Sequence, residues 1–391
     1  MPSFEPPVRH LMGPGPSDVP ARVRQAMAAP TIGHLDPAFQ GFMERLKADL
    51  RVLFGTANRM TFALSAPATA AMESCLANLL EPGETAVICR NGAFGGRLAE
   101  MARRLGAEVV TVDDEWGRPP HPDKVEAALA AHPEARVLAF VHAETSTGVR
   151  ADAAALCRLA RAHDCLTIVD TVTSLGGIEV AVDAWGADAV YAGSQKCLSC
   201  PPGLAPVTFS ERAVERVKAR RRPVASWFHD LGLIASYWDG DGGRSYHHTA
   251  PVNALYGLSE AVSMLLEEGL EAARARHQAM HQRLIAGLRA LGLEPLVDEP
   301  DRLPQLNAIR VPDGVDEAAV RCHLIENFRL EIGAGLGPLA GRIWRIGLMG
   351  ASACLENVVL CLDALENALA AQPVRVPRGA AVASALAVET D

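Results

Sequence analysis

The sequence has no surplus of positive charge. Its 37 lysines and arginines are outnumbered by 46 aspartates and glutamates, giving a formal charge of −9 at pH 7, whereas a nucleic-acid surface needs a basic field. No uninterrupted apolar run approaches membrane-span length. The start, Met1-Pro-Ser-Phe-Glu-Pro-Pro7, lacks the apolar segment of a secretory leader. A cytoplasmic protein is therefore expected, with neither nucleic acid nor membrane as a partner. The nine cysteines show no framework spacing and read as small buried hydrophobes in a reducing compartment. Cys197-Leu-Ser-Cys200 matches C-x-x-C, but no second pair or nearby histidine completes a metal site. No metal is expected. What the chain does have is 391 residues, 49% of them hydrophobic, enough for two or three structural units around a sizeable core.

The stretch Leu166–Lys196 organises the rest. Leu166-Thr-Ile-Val169 is a short β-branched run ending on Asp170, and Asp188-Ala-Val-Tyr191 is a second, followed by Gly193-Ser-Gln-Lys196. An acid and a lysine thus stand just past the carboxyl ends of two neighbouring strands, the rim where open α/β sheets bind ligands. A lysine there can form a Schiff base, and a buried carboxylate can keep a pyridine nitrogen protonated. Those are the two groups that pyridoxal 5'-phosphate most needs from a protein.

Strands are also expected at Thr85–Cys89, Val109–Val112 and Val137–Val141, alternating with helices at 20–29, 39–54 and from Thr69 through Leu79. Asp152 caps a further helix. This alternation predicts an α/β fold with a mainly parallel, doubly wound sheet. Glu211–Arg222 reads as a basic helix with a solvated face, and Gly240-Asp-Gly-Gly243 as a flexible break. Long amphipathic helices follow at Val252–Glu267 and Leu270–Leu291, then short strands at Asn307–Val311, Leu330–Ile332 and Arg342–Leu348. The expected division is an N-terminal arm (1–20), a large cofactor-binding domain (21–265), a smaller C-terminal α+β domain (266–375) and a tail (376–391). Leu11-Met-Gly-Pro-Gly-Pro-Ser17 can be neither helix nor central strand, and reads as a linker or a segment at the site. Arg345 lies among apolar neighbours and needs a carboxylate, whether from the protein or from a substrate.

Taken together, GPGP at Gly13–Pro16, H-x-E-T-S-T-G at His142–Gly148, the Asp170 and Lys196 strand ends, Y-H-H-T at Tyr246–Thr249 and R-I-G-L at Arg345–Leu348 resemble the class V, fold-type I aminotransferases, the alanine–glyoxylate group in particular. The resemblance runs over roughly Leu11 to Ala370. It implies that pyridoxal 5'-phosphate is bound as a Lys196 aldimine, with Asp170 on the ring nitrogen. Thr69, Phe94, Thr145, Val172, Gln195, Tyr246 and Thr249 would be further cofactor ligands, Phe94 stacking on the ring. Arg345 would bind the substrate carboxylate. The reaction implied moves an amino group from a small amino acid, alanine or serine, to a 2-oxo acid such as glyoxylate or pyruvate. The resemblance also implies a homodimer with shared sites, Tyr246 and Thr249 serving the partner's phosphate.

One loop departs from the family. Where S-G-S-G-[TH] is usual, this chain has Ser65-Ala-Pro-Ala-Thr69. Pro67 removes an N–H donor, the alanines restrict backbone approach, and the sequence sets no lysine or arginine beside it. This fits an alternative, a pyridoxamine–pyruvate aminotransferase that takes the free vitamin as substrate, against which stand Tyr246, Thr249 and Gln195 as phosphate ligands that the resemblance implies. A cysteine desulfurase is disfavoured, because the Gly333–Gly337 loop has no cysteine. A non-catalytic binding module is disfavoured by Asp170 and Lys196 themselves. His142 and Glu144 read as structural or capping.

Overall fold

Short β-branched runs become buried strands because helices cover both faces of the sheet they form. In the computed structural model, which describes residues 3–239 and 244–389, seven strands make the main sheet. They are β1 (Met60–Leu64), β2 (Thr85–Arg90), β3 (Glu108–Asp113), β4 (Val137–Val141), β5 (Leu166–Asp170), β6 (Ala189–Tyr191) and β7 (Ala205–Phe209). The spatial order is β1-β7-β6-β5-β4-β2-β3. From β6 to β3 every pairing is parallel, while β7 runs antiparallel to both β6 and β1. Every residue of β4 and β5 is buried. The expected mainly parallel α/β sheet is present, and the expected Gly240–Gly243 break lies outside the described residues.

The chain runs from β2 outward to β3 and then back past β2 to β4, so the winding reverses between β2 and β4. A crevice opens at the carboxyl ends of strands at such a reversal. Two helices flank it: α1 (Ala68–Leu79), which follows β1, and α2 (Ala93–Arg104), which follows β2.

Two strands go beyond the sequence reading. In β1 and β7 the buried hydroxyls of Thr61 and Thr208 hydrogen-bond across the ladder at 2.8 Å, which satisfies polar groups that would otherwise be costly inside. The basic helix also needs correction. It ends at Lys218 as α3 (Glu211–Lys218), and its face is not merely solvated. Arg216 pairs with Glu84 at 2.6 Å, and Arg220 donates to the carbonyls of Asn78 (2.9 Å) and Leu80 (2.7 Å) at the end of α1.

A second core surrounds a three-stranded antiparallel sheet of β8 (Leu306–Arg310), β9 (Gly333–Ala334) and β10 (Ile343–Gly347), in the order β8-β10-β9. Leu284, Leu288, Trp344, Ile346 and Leu362 belong to it, as do Ala381 and Ala385. The last two come from a helix at Ala380–Leu386, within the stretch read as a tail, which packs on Leu270–Ala290. Alternation along β10 buries Trp344 against the helices, its indole N–H donating to the Glu317 carbonyl at 3.3 Å, and turns Arg345 the other way. At the other end of the chain, His10–Leu11 pairs in parallel with Leu330–Glu331, and Met12 is fully buried in the second core. Among the described residues no helix is long and apolar enough to cross a membrane.

Candidate active site

Asp170 is the last residue of β5 and is buried. Its Oδ1 accepts the Val172 N–H at 2.9 Å and its Oδ2 accepts the Tyr191 hydroxyl at 2.8 Å. Burial outweighs both donors and pushes the carboxyl up to about 6. Lys196 lies beyond β6, where burial, reinforced by the Arg345 charge, brings its amine down to about 8 against the opposing pull of Cys197 and Asp170. Nζ donates to the Pro14 carbonyl, and the Ser17 hydroxyl donates to the Lys196 carbonyl at 2.7 Å. The Gly/Pro segment therefore belongs to the site. Gly15 sits at φ +107°, and a Cβ there would come 2.5 Å from Nζ, so only glycine fits.

The loop after β4 supports the opposite wall. Glu144 is fully buried, with Oε2 accepting the N–H groups of Phe94 (3.1 Å) and Gly95 (3.2 Å) at the start of α2. Its Oε1 accepts the N–H (3.1 Å) and hydroxyl (2.6 Å) of Ser146. Burial raises its carboxyl despite these four donors. Glu144 thus caps a helix and fixes where Phe94 stands, as the capping reading expects. His142 is held neutral, burial pushing it down to about 3. Arg345 donates from Nε to the Ala334 carbonyl at 2.7 Å and from Nη1 to the Thr145 carbonyl at 3.1 Å. Among the described residues no carboxylate lies within ion-pair distance of it, although burial disfavours its charge.

Thr69, Phe94, Thr145, Asp170, Val172, Gln195 and Lys196 all line one cavity of about 190 Å³. Arg345 is not one of its lining residues but holds the carbonyl of Thr145, which is. The two remaining candidates are not there. Tyr246 is 61% exposed, its hydroxyl 3.3 Å from that of Thr249, and Thr249 is exposed too. Only their neighbour His248 approaches the loop, through the Ser65 hydroxyl at 2.7 Å. A wider groove of about 790 Å³ lies elsewhere, beside Arg274 and Arg302, and contains none of these groups.

One residue escaped the sequence reading. Arg97 lines the same cavity, its guanidinium 4.9 Å from the Phe94 ring centroid and its Nη1 donating to the Thr69 hydroxyl at 3.2 Å. An arginine does stand beside the altered loop. The signal was its position three residues after Phe94, which places both on one helix face. Cys197 and Cys200 are free and buried, their thiols pushed up to about 12 by burial, and so are unreactive.

The Aminotransferase class-V family matches residues 15–340. The (S)-ureidoglycine–glyoxylate transaminase of Bacillus subtilis is 38% identical, over 98% of this chain and 95% of its own. The structure of the ureidoglycine–glyoxylate aminotransferase from that organism superposes with a TM-score of 0.96, at 39% identity, over 98% of this chain and 99% of its own. An alanine–glyoxylate aminotransferase from Nostoc sp. gives 0.92 at 44% identity, over 94% and 97%. A pyridoxamine–pyruvate aminotransferase from Mesorhizobium loti gives 0.91 at 28%, over 99% and 98%. The rim of strand ends holding Asp170 and Lys196, and the agreement in sequence and fold across almost the whole chain, lead to one conclusion: the protein belongs to the class V aminotransferases.

Proposed function

We propose that the protein is a pyridoxal 5'-phosphate-dependent aminotransferase that moves an amino group from a small amino acid, alanine or serine, to a 2-oxo acid, glyoxylate or pyruvate. The observation that carries this is Arg345. It is a buried cation with no carboxylate partner among the described residues, and a buried charge left unpaired is costly. Two of its five N–H groups are engaged, by backbone carbonyls. The others suit a planar carboxylate, behind the Thr145 wall of a cavity containing a lysine whose basicity burial and the Arg345 charge lower. Glyoxylate as acceptor is supported by the names of the Bacillus and Nostoc relatives.

The residues fit the cofactor. Gln195 has a buried side-chain oxygen without a partner, and a Cβ on Gly193 would intrude to 2.8 Å from it. Among the described residues the Ala68 and Thr69 N–H groups at the start of α1 have no acceptor, which is the arrangement that holds a phosphate. When bound, pyridoxal 5'-phosphate supplies a carbonyl that condenses with amines and an electron sink for the Cα–H electron pair.

The chain's own residues do the rest. Lys196, with an amine near 8, is neutral often enough at physiological pH to act as nucleophile and then to carry the proton away from the substrate Cα. Asp170 is the carboxylate that would hold a proton on the pyridine nitrogen, and Tyr191 and Val172 fix its orientation. Arg345 orients the substrate through its carboxylate. Phe94, set in place by Glu144, forms one wall. Tyr246 and Thr249 are exposed on their own chain and would complete the partner's phosphate site in a homodimer.

A panel of amino donors against glyoxylate and pyruvate, with the purified protein and added cofactor, tests this reading. Alanine or serine should give turnover, with the matching 2-oxo acid formed. Transamination of pyridoxamine by pyruvate, without turnover of any amino acid, would replace it with the free-vitamin reading that Pro67 favours.

A further inference from the structure

Resting on that reading, we infer that Arg97 is the cation that selects the phosphorylated form of the cofactor in this chain. The loop before α1 is short of donors, since Pro67 has no N–H and the residues around it are alanines. Its remaining donors are the Ala68 and Thr69 N–H groups and the Thr69 hydroxyl, all neutral. A phosphate ester carries nearly two negative charges near pH 7, which neutral donors alone compensate poorly, and at this end of the cavity Thr69 and Arg97 are both exposed on their own chain.

Arg97 makes up the deficit from the neighbouring helix α2. Its Nη1 lies 3.2 Å from the Thr69 hydroxyl, so the guanidinium stands at the open end of α1, where the helix dipole also favours an anion. Among the described residues no carboxylate pairs with it, so its charge is uncommitted. Its guanidinium lies 4.9 Å from the centroid of Phe94, and this cation–π contact narrows where the long side chain can go. Thr69, Arg97, Gln195, Asp170 and Lys196 share one cavity. A molecule linked to Lys196 and held by Asp170 can therefore reach Arg97 with a charged substituent.

This assignment separates two ways in which Arg97 could matter. Acting through the phosphate, it affects only a ligand that carries one. Acting as a prop for Phe94, it affects any ring placed in the cavity. The test titrates the apoprotein with pyridoxal 5'-phosphate and, separately, with pyridoxal, following the visible absorbance of the lysine adduct. The wild type, Arg97→Gln and Arg97→Lys are compared at low and high salt. Wild type should prefer the phosphate ester, and Arg97→Gln should weaken it about tenfold or more, the range of a lost charge-assisted hydrogen bond. Pyridoxal binding should change less than twofold, and Arg97→Lys should recover much of the preference. Equal weakening of both ligands, or unchanged phosphate-ester affinity in Arg97→Gln, would overturn the assignment while leaving the aminotransferase reading intact. Absence of any lysine adduct in the wild type would overturn the reading on which it rests.

Discussion

Replacing Arg345 with methionine should separate catalysis from stability. The guanidinium is buried, and among the described residues its bonds go to the carbonyls of Ala334 and Thr145. Removing it leaves two carbonyls short of a donor, about 1–3 kcal/mol each. It also relieves the desolvation of a cation that has no ion-pair partner among the described residues, only the more distant Glu144 charge, a penalty of several kcal/mol. These terms have opposite signs and similar size, so the melting temperature and denaturant midpoint should move little. Catalysis should respond quite differently. Two charge-assisted bonds to a substrate carboxylate, about 1.5–3 kcal/mol each, correspond to a fall in kcat/KM with alanine of about 10²- to 10⁴-fold. Alaninamide, which lacks the carboxylate, should be a poor donor for the wild type and no poorer for the variant. Stopped assays with both donors, beside denaturant melts, make the measurement. An equal loss on alanine and alaninamide would refute the argument, because Arg345 would then serve only to hold the Thr145 loop.

Four further outcomes are expected. Lys196→Ala should fold normally yet lose both the visible cofactor band and transamination; a retained band at neutral pH would assign the linkage to another lysine. Asp170→Asn should keep that band but turn over about 10²- to 10³-fold more slowly, as for a lost electrostatic stabiliser, and an unchanged rate would reduce Asp170 to a strand-end cap. The same substitution should stabilise the apoprotein at pH 7.5. The wild-type carboxyl sits at about 6 rather than 3.8, so its ionisation penalises the fold increasingly as pH rises from 4 to 6; a stability gap between variant and wild type that persists at pH 3.5 would contradict this. Mixing Lys196→Ala chains with Tyr246→Phe, Thr249→Ala chains should restore activity if sites are shared between subunits, and no rescue after confirmed exchange would place both segments in one subunit's site.

The rim bearing Asp170 and Lys196 was legible because fully buried parallel strands write themselves as apolar runs, and the residue after such a run lands on the ligand side. Phe94, Thr145 and Gln195 came instead from the resemblance to the class V aminotransferases. The strands β1 (MTFAL) and β7 (APVTF) were not read, being short and, in β7, interrupted by a proline. Their hydroxyls become tolerable only once Thr61 meets Thr208, a contact between distant segments. Glu144 looked like any loop carboxylate, and its four donors come together only when α2 docks on that loop. Arg97 was hidden likewise, because its nearness to Thr69 joins two helix starts that no local pattern relates. Arg220 shows the opposite error: a charge in a basic run, read as solvated, turns out to tie off the end of α1.

The parallel pairing of His10–Leu11 with Leu330–Glu331 also sets a timetable for synthesis. The arm that delivers Pro14 to Lys196 leaves the ribosome well before its strand partner, which comes 320 residues later (330 − 10). At about 5–20 residues per second, that is a wait of roughly 16–64 s. Lys196 itself emerges partway through that interval, and from then on the Ser17 hydrogen bonds to the Gln195 and Lys196 carbonyls, with that of Lys196 to Pro14, are what can tie the arm to it. From the emergence of Lys196 to that of residue 331 is 135 residues (331 − 196), about 7–27 s at the same rate, during which a nascent chain has its reactive amine in place without the strand pairing that fixes the enclosing arm.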